Sequence, residues 1–127
     1  MKKVIFTDKA PAPIGPYSQA IEANGMLYVS GQIPIDPASG QLITSDIEAE
    51  TRCVLDNVKA ILDARNLTMD DVVKSSIFIS DMNNFARINA VYAEYFTGAN
   101  PPARETVQVA ALPKAVNIEI SVIAVAR

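Results

Sequence analysis

The stretch Val116-Asn117-Ile118-Glu119-Ile120-Ser121-Val122-Ile123-Ala124-Val125-Ala126 decides the architecture. Its β-branched residues and its period of two read as a strand. Val116, Ile118, Ile120 and Val122 lie on one face, and Asn117, Glu119 and Ser121 share the other. Toward the end Ile123 and Val125 make that second face apolar too. Helices packed on one face leave the second one to be covered. Another copy of the chain is the expected cover, so the pattern points to a homo-oligomer.

Working outward, residues 104–111 read as a further strand, joined to the last by a turn at Leu112-Pro113-Lys114. Gly98 and Pro101-Pro102 stop a helix over residues 81–96, whose buried side carries Phe85, Ile88, Tyr92, Tyr95 and Phe96. Residues 72–80 are β-branched and read as a strand. An earlier helix opens at Ser45-Asp46-Ile47-Glu48, which has the capping-box pattern with Ser45 as the cap. It continues through Val54, Leu55, Val58, Ile61 and Leu62, and Asn66 ends it in a left-handed conformation. Residues 31–44 read as a loop. Asn24-Gly25 is a type I′ hairpin turn between strands over residues 17–23 and 26–30. A proline-rich segment, residues 8–16, links these to a first strand over residues 2–6. The order β-β-β-α-β-α-β-β predicts an α+β layer, a mixed sheet with two helices on one face.

Composition narrows the chemistry. The 127 residues fit one domain, residues 1–127. The net charge of −3 argues against a nucleic-acid binder that works by phosphate neutralisation. There is no histidine, which removes His-based acid/base catalysis and the commonest metal ligand. Cys53 is the single cysteine, so it forms no internal disulfide and builds no Cys-rich zinc site. The N-terminal apolar run Val4-Ile5-Phe6 is too short for a signal peptide, and no stretch approaches membrane-spanning length. A cytoplasmic, reducing compartment is the expectation.

Few residues have the chemistry for a site. Arg104, at the mouth of a strand, either clamps a carboxylate or pairs with a nearby acid such as Glu105. Glu119 lies inside the most apolar strand. Burial there would raise its pKa for acid/base or water-positioning work; alternatively it is an interface carboxylate paired with a base. Asn89 is polar on an apolar helix face and needs a partner, which backbone would supply in a packed core. Tyr17, Ser30 and Gly31 close the loop and the hairpin. They serve as packing and turn residues, or Gly31 lets a ligand approach the backbone. Cys53 has no activating neighbour and reads as inert. No Walker motif, dinucleotide fingerprint or metal-ligand cluster is present.

Taken together, Ile14-Gly15-Pro16-Tyr17-Ser18-Gln19-Ala20, Ser30-Gly31-Gln32-Ile33-Pro34, Leu55-Asp56-Asn57-Val58-Lys59-Ala60-Ile61, Asn89-Ala90 with Tyr92, Pro102-Ala103-Arg104, Leu112-Pro113 and Ile118-Glu119-Ile120 resemble the Rid family, also called YjgF or liver perchloric-acid-soluble protein. The resemblance spans nearly the whole chain. It implies a chorismate-mutase-like α+β fold and a homotrimer with clefts between subunits. It also implies an enamine/imine deaminase that turns 2-imino acids such as 2-iminobutanoate, and enamines such as 2-aminoacrylate, into 2-keto acids and ammonia. No cofactor or metal is implied. Arg104 matches the family's carboxylate-binding arginine and Glu119 its water-positioning glutamate. Tyr17, Ser30, Gly31, Asn89 and Thr106 match positions lining the cleft. Glu105 and Thr106 depart from the small residue and cysteine that often follow the arginine in deaminase members. Strand alternation places Glu105 on the face opposite Arg104. Other readings are a non-catalytic binder of small carboxylates, a deaminase of larger substrates, and the ribonuclease or translation inhibition attributed to some relatives.

Overall fold

The computed structural model describes residues 1–126. Its strands are β1 (Lys3–Ile5), β2 (Ala20–Ala23), β3 (Met26–Gln32), β4 (Val72–Ile79), β5 (Ala103–Gln108) and β6 (Ile118–Val125). The helices are α1 (Ile47–Asp63) and α2 (Phe85–Tyr95). The sheet runs β1-β2-β3-β6-β4-β5, and only the β4–β5 pair is parallel. A parallel pair needs a crossover, and α2 supplies it. The mixed six-stranded sheet with two helices is the architecture expected from the sequence.

The last strand lies between β3 and β4, in the body of the sheet. Ile118, Ile120, Val122 and Ala124 are almost fully buried on the face that α1 covers. Val54, Leu55, Val58, Ile61 and Leu62 of α1 meet them in the main core. Each such aliphatic side chain contributes about 1.5–3 kcal/mol on burial. The other face stays open in a single chain. Cross-strand register lines up Val4, Ile21, Tyr28 and Ile123 across four strands of that face. Val107, Phe78 and Glu119 form a second row. Val4 is 59% exposed and Tyr28 46%, far above what a covered sheet face shows.

Several local expectations shift. The cap of α1 is Asp46, whose carboxylate accepts from Ala49 N at 2.8 Å, and not Ser45. A capping box at Ser45 needs the Glu48 side chain to reach back, but both Glu48 oxygens accept from Arg87 of α2. That ion pair holds the Glu48 carboxyl down at about 2. Asn66 does take a left-handed turn, φ 59°, and Leu67 N donates back to Leu62 O. The second helix is shorter than residues 81–96. Asp81 caps a 3₁₀ turn (Met82–Asn84) before α2 begins, and Phe85 stays exposed while Ile88, Val91 and Tyr92 are buried.

The second strand starts at Ala20, three residues later than read, because Gln19 is taken up elsewhere. Its buried side chain accepts from Thr7 N and donates to the carbonyls of Thr7 and Pro11, which ties down the proline-rich loop. Strand β3 runs on through Gly31 to Gln32, past an irregularity in its pairing with β6. Residues 33–44 keep the loop character, pinned by one bridge between Ile35 and Leu42. No helix among the described residues is long and apolar enough to cross a membrane.

Candidate active site

Four of the residues singled out from the sequence surround one cavity of about 390 Å³. Tyr17, Ser30, Gly31 and Glu119 line it together with Ile14, Ile33 and Pro113. The Tyr17 hydroxyl accepts from Ile14 N at 3.2 Å, and Tyr17 N donates to Gly15 O, so the loop folds back on itself. Ser30 Oγ donates to Ser18 O at 2.6 Å and anchors that loop on β3.

Glu119 faces Gly31 across the β3–β6 pair. A Cβ at Gly31 would collide with the Glu119 carboxyl, coming within 2.7 Å of its Cδ. Glycine is needed here for space, since a side chain would displace the acid. Glu119 makes no hydrogen bond or ion pair among the described residues. Partial burial alone pushes its carboxyl above the usual range. An unpaired, partly buried carboxyl has the chemistry to exchange a proton or hold a water. Gly31→Ala is expected to leave the sheet intact and to cost at least about tenfold in any activity that uses Glu119. Circular dichroism and turnover measured together check this.

Arg104, Thr106 and Asn89 do not join this cavity. Arg104 pairs in register with Ser75, and Thr106 with Ile77, both on the helix-covered face. Glu119 pairs with Phe78 on the open face. Within one chain Arg104 and Glu119 thus lie on opposite sides of the sheet. The guanidinium sits 4.9 Å from the Tyr92 ring centroid and 5.7 Å from that of Phe85. It has no carboxylate partner among the described residues. Glu105 does not pair with it. It lies on the other face, where the Ser76 hydroxyl and then Lys74 hold its carboxyl below the usual range. Tyr92 is itself fixed by donating to Ser75 Oγ at 2.9 Å, so Arg104 rests on a rigid aromatic platform.

Asn89 is half-buried on α2 and its side chain makes no hydrogen bond among the described residues, so it is not a packed-core asparagine bonded to backbone. The Thr106 hydroxyl is enclosed and unpartnered. Cys53 is half-buried on α1, and burial pushes its thiol up to about 11, which fits the inert reading. Among the described residues no group of three or more acidic or cysteine side chains is placed to hold a metal ion.

The model of the family described as Endoribonuclease L-PSP matches residues 7–126. The chain is 56% identical to a RutC family protein of Pyrococcus horikoshii over 124 residues, covering 98% of each. It is 49% identical over 129 residues to a 2-iminobutanoate/2-iminopropanoate deaminase of Escherichia coli, covering 100% of both chains. The crystal structure of YyfA, a Rid-family protein of unknown function from Yersinia pestis, superposes with a TM-score of 0.96 at 54% identity, over 98% of this chain and 99% of that one. The chain belongs to the Rid (YjgF, L-PSP) family, and its sheet and helices have that family's chorismate-mutase-like arrangement.

Sequence reasoning passed over Ile14, Ile33 and Pro113 as lining residues, and Glu50 and Asn57 behind them. The last two carried a signal. They are polar residues on the buried stripe of α1, where each needs a reason to be.

Proposed function

We propose that this chain is a 2-iminobutanoate/2-iminopropanoate deaminase. It hydrolyses reactive 2-imino acids, and enamines such as 2-aminoacrylate, to 2-keto acids and ammonia. The observation that carries the reading is Glu119, an unpaired, partly buried carboxylate on a cavity wall opposite Gly31. The identity to the Escherichia coli deaminase over the full length of both chains supports the same reading.

The working unit is a homotrimer, and each cleft is shared. Arg104, Asn89 and Thr106 come from one copy; Tyr17, Ser30, Gly31 and Glu119 come from its neighbour. Two features support this. The residues are divided between opposite sides of the sheet in one chain, and the open apolar face needs a cover. Arg104 takes the substrate carboxylate in two parallel hydrogen bonds. An enamine substrate first tautomerises to the imine. Glu119 orients a water toward the imine carbon and accepts its proton as the C–O bond forms. The carbinolamine nitrogen gains a proton and leaves as ammonia, and the carbonyl of the keto acid forms. Such imines already hydrolyse in water, so positioning is the main contribution asked of the protein.

The test is a coupled assay. Threonine dehydratase and threonine generate 2-iminobutanoate, semicarbazide competes for it, and 2-oxobutanoate is followed with and without the protein. Faster keto-acid release with the native chain, and not with Arg104→Ala, is the expected result. No acceleration by the native chain overturns the deaminase reading and favours a protein that only binds small carboxylates.

A further inference from the structure

Two buried polar residues on α1 are left without a role by the reaction. Glu50 is 1% exposed and Asn57 2%, two helical turns apart on the same side of α1. Glu50 has no cation beside it among the described residues. Its Oε2 accepts from Asn117 N at 2.5 Å, and its Oε1 accepts from Asn117 Nδ2 at 2.9 Å. Asn117 in turn accepts from Ser80 Oγ at 2.9 Å. Asn117 stands immediately before β6, two residues from Glu119.

Asn57 grips the other wall. Its Nδ2 donates to Ile35 O at 2.9 Å and Ile33 O at 3.3 Å. Ile33 lines the cavity two residues after Gly31. Between the two grips, Ile33, Ile35 and Val116 pack as a small cluster separate from the main core. A buried carboxylate without a cation is costly unless donors satisfy it, so its presence implies a task that an apolar residue cannot perform. The task here is to supply two acceptors to two converging N–H donors.

We infer that Glu50 and Asn57 are positioning residues, a two-point clamp from α1 that sets the separation of Gly31 and Glu119 and so fixes where the acid meets the water. This rests on the deaminase reading for its kinetic consequence. The geometry of the clamp does not depend on it. Substrate carboxylate binding is assigned to Arg104 on the edge strand β5, and none of the clamp's hydrogen bonds reaches it. Loosening the clamp therefore separates turnover from binding.

The experiment compares Glu50→Met, Glu50→Gln and Asn117→Ala with the native protein. Each is measured for kcat, for 2-oxobutanoate affinity, and for the titration of Glu119 by carboxyl carbon NMR. Glu50→Met leaves the Asn117 N–H without a partner. It is expected to lower kcat by about tenfold or more, since small misplacements are amplified in positioning chemistry. The 2-oxobutanoate affinity should change by less than about threefold, and Glu119 should titrate closer to an ordinary carboxyl as water enters. Glu50→Gln keeps both grips once the Asn117 amide turns over to accept, so it should stay within about twofold of native.

Should Glu50→Met fail to fold, Asn117→Ala decides by the same readouts. It keeps the backbone grip and loses the side-chain one, so a smaller fall in kcat with affinity preserved is expected. A folded Glu50→Met, or in its place Asn117→Ala, with native kcat and native Glu119 titration overturns the inference. So does equal damage from Glu50→Met and Glu50→Gln. Absence of turnover in the native protein sinks the deaminase reading instead, and the Glu119 titration still decides the clamp.

Discussion

Replacement of Arg104 by alanine is expected to lower kcat/KM for 2-iminobutanoate by about 10–150-fold, the worth of about 1.5–3 kcal/mol for hydrogen bonds to a charged group. The loss should fall on binding, so the affinity for 2-oxobutanoate drops with it. The reason lies in what surrounds the guanidinium. It rests on the Tyr92 and Phe85 rings, and Tyr92 is locked to Ser75. No carboxylate of the described chain neutralises it, because Glu105, its neighbour in sequence, is held on the other face by Lys74 and Ser76. Arg104→Lys keeps the charge but loses the planar fork, and should recover only part of the activity. Isothermal titration with 2-oxobutanoate beside the coupled assay checks both parts.

Glu119→Gln carries the second large effect and the opposite signature. Turnover should fall by about 10²–10⁴-fold, the usual range for a positioned acid or base, while 2-oxobutanoate binds nearly as before. Equal loss of both would count against the water-positioning role. Stability supplies an independent check. Burial raises the Glu119 carboxyl above its ordinary value, so the folded protein holds that proton more tightly than the unfolded chain. The stability linked to this group is complete below the ordinary carboxylate range and is lost as pH rises through the raised value. At about pH 7 the amide variant escapes that penalty and should melt at a higher temperature than native. At about pH 4 the two should coincide.

The strands and helices were legible for local reasons. Asn24 and Gly25 both adopt positive φ, 51° and 76°, as a type I′ turn requires, and that turn is written in two residues. The alternation of residues 116–126 reads directly as one buried and one open face, and the structure keeps it. The site was legible only in part. Each strand shows its own alternation, but the phase between strands is set by pairing across the sheet. Nothing in the residues around Arg104 says that it aligns with Ser75, and nothing around Glu119 says that it aligns with Phe78. Their placement on opposite faces needed the register. Ser45 and Gln19 failed for a related reason: Glu48 and the proline-rich loop had long-range partners that local patterns do not contain.

The division of the site between copies is tested most directly by mixing two impaired proteins. Arg104→Ala and Glu119→Gln chains are unfolded together in equal amounts, refolded, and assayed beside each parent treated alone. A cleft built from two neighbours pairs an intact Arg104 with an intact Glu119 in about one case in four when chains assort at random in a closed ring. Recovery of about a quarter of native activity is the expected result. Activity no greater than that of the parents would mean that one chain supplies both residues, and would contradict the shared cleft.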